Sequence, residues 1–110
     1  MSADREPYLV KVVRDRVQES MLNGEHRIVY KRIVDRAELV EFLKRKLGEE
    51  LIEYMLNPSV DELGDILATT AALAKHDLHV DWIEVEAAAT AKYRRRGGFE
   101  IGTGMYAVPV

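Results

Sequence analysis

Three stretches between residues 35 and 98 carry helix punctuation, the first and third at both ends, and this constrains the fold more than any other feature. The first opens on Asp35 with Glu38 three positions later, a capping box, and Val34 with Leu39 forms a hydrophobic staple around it. Asn57-Pro58 closes it, because proline cannot continue a helix and restrains the residue before it. The second stretch runs to about His76. Asp81 with Glu84, and Val80 with Val85, repeat the start signals, and Gly97-Gly98 stops the third helix near Arg96. Three long helices with short connections predict a mainly α-helical bundle. A short helix over residues 14–22, halted by Asn23-Gly24, is expected before it. Residues 8–13, 27–33 and 99–110 read as extended, residues 1–7 as a flexible N-terminus, and residues 8–110 as one domain.

A chain of 110 residues can bury one modest core. Its 47% hydrophobic and 32% charged residues fit a soluble globular domain. The net charge of -3 gives no global reason to expect nucleic-acid binding. With no cysteine, disulfides and thiolate metal sites are excluded. No secretory signal or membrane-length apolar run is visible, so a cytoplasmic location and no membrane role are expected. His26, His76 and His79 have no ligand spacing.

Six carboxylates fall within the seventeen residues 49–65, and five of them make two spaced groups: Glu49, Glu50 and Glu53, then Glu62 and Asp65. Glu50 with Glu53, and Glu62 with Asp65, stand at i and i+3, which share one helix face. Acidic residues are usually solvated surface. Here the first helix has an apolar stripe of Leu39, Phe42, Leu43, Leu47, Leu51 and Tyr54. At about 100° per residue Glu50 falls near its middle, Glu53 beside it and Glu49 at its margin. A buried carboxylate must be protonated, paired or bound to a cation. Ser59 and Glu62 also match a capping box. If Asn57 is the cap and Pro58 the first helical residue instead, Glu62 is free to be a ligand, the reading its spacing to Asp65 favours. Converging carboxylates repel unless a hard cation such as Mg²⁺, with Mn²⁺ a substitute, sits between them.

The cations are uneven. Lys92, Arg94, Arg95 and Arg96 crowd the end of the third helix, and Lys11, Arg14 and Arg16 lie near the start. For any one of them, compensation of a helix dipole or a surface ion pair is the plainer account. Four within five residues suit a phosphate-binding rim, with Lys92 and Arg96 on one face. Tyr54, Trp82, Tyr93 and Phe99 are better explained as core than as base-stacking residues. Gly48 and Gly64 fit either tolerated drift or close helix approach. Acids for Mg²⁺ beside cations for phosphate predict metal-assisted hydrolysis of a polyphosphate. No G-x-x-x-x-G-K-[ST] phosphate loop is present.

These residues resemble a known family. E-E-x-x-E at residues 49–53 and E-x-x-D at residues 62–65, on successive helices, resemble the MazG-like all-α NTP pyrophosphatase superfamily. The K-V-V-R-D-R-V run at residues 11–17 resembles the K-L-V-R-D-R-I-P opening of its compact, phosphoribosyl-ATP pyrophosphohydrolase-like branch. Lys92 through Arg96-Gly97-Gly98-Phe99 is similar to that branch's K…R-G-G-F ending. Val17-Gln18 departs from the usual Ile-Pro, and the eight-residue gap between the acidic motifs is short. The resemblance implies Mg²⁺-dependent hydrolysis of a nucleoside triphosphate between its α and β phosphates, giving a monophosphate and pyrophosphate. It implies Glu50, Glu53, Glu62 and Asp65 as metal ligands and Glu49 as an auxiliary acid. Lys92 and Arg96, with Arg14, Lys11 and Arg95, would contact substrate. It also implies a homodimer or homotetramer, with which the apolar second helix is consistent. Phosphoribosyl-ATP pyrophosphatase activity and a non-catalytic nucleotide- or protein-binding module are the alternatives.

Overall fold

The computed structural model describes residues 6–16, 22–23 and 26–110. Its frame is an antiparallel helical hairpin. Helix α1 (Arg36–Leu56) and helix α2 (Val60–His76) pack along each other, joined by residues 57–59. Asp35 caps α1 by accepting from the Ala37 and Glu38 amides, which satisfies two of the donors a helix start leaves free. Ser59 caps α2 by accepting from the Glu62 amide at 3.0 Å. Asn57 is therefore the C-cap of α1, and Pro58 lies in the connection rather than opening α2. The Ser59 hydroxyl satisfies an amide that Asn57 is too far along the chain to reach.

At the far end of the hairpin Lys44 pairs with Asp77 at 3.7 Å, and Arg36 Nη1 donates to His79 Nδ1 at 3.0 Å. Beyond α2 the chain turns through His79, whose φ of 57° lies in the left-handed region, and the Val80 amide returns to the Ala74 carbonyl. Helix α3 (Trp82–Arg96) follows, with Asp81 in the N-cap position but making no side-chain cap bond. Among the described elements it packs on α2 alone, and it buries no residue. The expected bundle is thus a hairpin with a third helix lightly attached.

The interior is small. Among the described residues, Leu43 at 6% exposure and Ala74 at 4% are the apolar ones most fully withdrawn from water. Tyr54 and Trp82 are half-buried, but Tyr93 and Phe99 are exposed, against the core role expected for them. A Cβ added at Gly48 or Gly64 would meet nothing within 4 Å, so no close approach within the chain demands either glycine.

Most of the expected N-terminal helix, and residues 1–5 of the expected flexible terminus, lie outside the described residues. What is described of that helix is not helical. Residues 15–16 form a turn, and Leu22 belongs to strand β1 (Leu22–Asn23), paired antiparallel with β2 (His26–Arg27). An Asn-Gly pair signals a hairpin as readily as a helix stop. Residues 6–14 and 28–34 have no regular structure, and residues 97–110 form an irregular, exposed arm. Among the described residues no helix is long and apolar enough to cross a membrane.

Candidate metal centre

The hairpin brings Glu50, Glu62 and Asp65 together. One oxygen from each lies within 4.8 Å of the others. Glu50 is only 6% exposed, because the α1 stripe that turns Leu43 inward carries it to the same side two turns later. Glu62 and Asp65, one turn apart near the start of α2, face it half-buried. The Ser59 cap uses the Glu62 backbone amide, which leaves its carboxyl free. The cap and ligand readings of this residue are therefore compatible. Glu53 and Glu49 are exposed on α1 and stand outside this triad, although Glu53 is near enough to act on Glu62.

The electrostatics are those of a crowded anionic site. The Glu62 carboxyl is pushed up to about 7. The first cause is a hydrogen bond with Glu50, which two carboxyls can make only if one keeps a proton. Burial follows, then the Glu50 charge and a smaller push from Glu53. Glu50 Oε2 and Glu62 Oε1 are buried with no hydrogen-bond partner among the described residues. Each of the other two acids has a cation. Arg14 Nη2 donates to Asp65 Oδ1 at 2.5 Å, and Lys46 Nζ lies 3.3 Å from Glu50 Oε1. Below the triad, Thr69 Oγ1 donates to the Asp65 carbonyl and Thr70 Oγ1 to the Ile66 carbonyl, so α2 carries two buried or half-buried hydroxyls without orphaned donors.

The donor set fits a hard divalent cation. It is all carboxylate oxygen, two of its buried oxygens lack a hydrogen-bond partner among the described residues, and one oxygen of each acid lies within 4.8 Å of the others.

The cations divide differently from expectation. Arg14 lies at the site's rim, lining an open cavity of about 490 Å³ with Val60, Asp61, Gly64, Asp65 and Ala68. Lys92, Arg95 and Arg96 are exposed, form no ion pair among the described residues, and belong to a helix that does not touch α1. Lys11 is exposed as well. Lys46 was missed in the sequence, although its i, i+4 spacing to Glu50 was a usable signal. No family model, curated protein or solved structure matches the chain.

Proposed function

We propose that this chain is a Mg²⁺-dependent nucleotide pyrophosphohydrolase that cleaves nucleoside triphosphates between the α and β phosphates and clears non-standard or surplus nucleotides. The observation that carries the reading is the triad of Glu50, Glu62 and Asp65 with its two unpartnered buried oxygens. The resemblance of the acidic motifs and of both flanking segments supplies the reaction class. Glu50, Glu62 and Asp65 would hold the ion, Glu53 would join them from the solvent side, and Glu49 is an auxiliary acid. Bound Mg²⁺ supplies neutralisation of phosphate charge and a water of lowered pKa.

The protein's own groups do the rest. Lys46 pairs with Oε1 of Glu50, and the other oxygen, Oε2, is buried without a hydrogen-bond partner among the described residues and so is free for the ion. Arg14 offers a guanidinium at the rim, suited to two-pronged pairing with a phosphate. Openness of the cavity beside Arg14 also accommodates a bulkier substrate, which keeps phosphoribosyl-ATP as a second reading.

The test is pyrophosphate release from a panel of standard, deoxy and damaged triphosphates and phosphoribosyl-ATP, with and without Mg²⁺. Mg²⁺-dependent release of monophosphate and pyrophosphate is expected, and Asp65→Asn should abolish it. Full activity of Asp65→Asn would remove the metal centre from the mechanism.

A further inference from the structure

Among the described residues two cations hold acids of the triad, and the two pairs differ in kind. Lys46 stands one turn before Glu50 on α1, and the paired side chains are 21% and 8% exposed. Helix geometry keeps these partners together. Arg14 reaches Asp65 from 51 positions away, out of a segment with no regular structure, and the paired side chains are 57% and 39% exposed. Of residues 6–16 only Leu9, Val12 and Val13 are half-buried, and the rest are exposed. An ion pair this open to water is weak, because solvent and salt screen both charges. Lys46 is thus a fixed counter-ion and Arg14 a removable one.

The carboxylate that Arg14 holds is also one of the three that converge. A divalent cation among these acids and the Arg14 guanidinium are therefore rivals for Asp65. Like charges brought to the same carboxylate repel, and a double charge repels more strongly than an exposed pair attracts.

Arg14 also has somewhere to go. It lines the open cavity of about 490 Å³ beside the triad, together with Gly64 and Asp65. Gly64 has no side chain to obstruct its movement there. A guanidinium turned into this cavity presents a planar fork of N–H donors and an unneutralised charge, which suits a phosphate.

We propose that Arg14 is an exchangeable counter-ion, which pairs with Asp65 until a divalent cation binds the triad and then turns into the cavity to take a phosphate group of the ligand. The proposal deepens the pyrophosphohydrolase reading and rests on its metal centre. It makes cation binding the event that frees a phosphate-binding residue, and it links residues 6–16 to the state of the triad.

The test uses the full chain and two titrations followed by calorimetry. Mg²⁺ alone should bind Arg14→Gln about two- to fivefold more tightly than wild type, the equivalent of one exposed ion pair removed. Inorganic pyrophosphate, added at saturating Mg²⁺, should bind the same variant about tenfold more weakly, the equivalent of one charge-assisted hydrogen bond lost. A variant that merely folds badly cannot strengthen one ligand and weaken the other. Arg14→Lys keeps a rival charge without the planar fork, so its Mg²⁺ affinity should stay close to wild type while pyrophosphate binding falls. Weaker Mg²⁺ binding by Arg14→Gln would make Arg14 a fixed partner that orients Asp65, and unchanged Mg²⁺ binding would show that the two do not compete. Either result overturns the proposal and leaves the metal centre standing. Failure of wild type to bind Mg²⁺, or binding indifferent to Asp65→Asn, would instead remove the metal centre itself and the proposal with it. None of these readouts depends on turnover.

Discussion

Glu62 and Lys46 set the chemistry of the site at the scale of single residues. In the fold Glu62 titrates at about 7 instead of 4.5, so the folded chain holds a proton that the unfolded chain has released. Stability from this group is present below pH 4.5 and is lost as pH rises through about 7. Glu62→Gln keeps the side chain's shape and removes the titration. Urea midpoints of the wild type should therefore fall between pH 5 and pH 8 relative to this variant; parallel pH profiles would show that the proton is not held there. Lys46 acts on the neighbouring acid. Lys46→Met leaves the buried Glu50 carboxylate without its cation, at a cost of about 1–3 kcal/mol. Mg²⁺ should recover part of that loss in thermal melts, and a loss indifferent to Mg²⁺ would mean that Glu50 is not a ligand.

At the scale of elements, the caps differ in a way that mutation can read. Asp35 and Ser59 accept backbone hydrogen bonds, whereas Asp81 does not. Replacing Asp35 or Ser59 by alanine should each cost about 1 kcal/mol in denaturant unfolding. Asp81→Ala should cost less than half of that, and equal losses would show that its side chain caps α3. Gly64→Ala should stabilise α2 by about 0.5–1 kcal/mol, since the added Cβ meets nothing within the chain. The three helices were legible because proline, glycine and capping residues act locally, within a turn of where they stand. Glu50 was legible for a related reason: helical periodicity places a side chain relative to its own stripe. Lys46 and Arg14 were harder. Their roles depend on which long side chain bends toward which acid, and for Arg14 the partner lies 51 positions away. Leu22 misled because Asn23-Gly24 serves two kinds of structure, and strand pairing decides between them.

For the whole molecule, the fate of α3 and the arm was not legible at all. Lys92 and Arg96 on one face suggested a phosphate-binding rim, but how a helix docks depends on surfaces that a periodic pattern does not locate. The exposed apolar residues of the hairpin and of the arm make stability a property of concentration if a second copy covers them. The thermal midpoint should rise as the protein is concentrated from about 1 to about 100 µM; a constant midpoint would mark a self-sufficient monomer. The short connection between α1 and α2 has a different consequence, one of timing. Glu50 and Glu62 are twelve positions apart, so closing one small loop brings them face to face. Contacts this local form early and fast. The repulsion between the acids is then met at the first tertiary step of folding rather than at the last. Refolding followed by stopped flow should accelerate as the pH falls toward 5 or as Mg²⁺ is added, with unfolding rates changing less, because the barrier itself contains the charged hairpin.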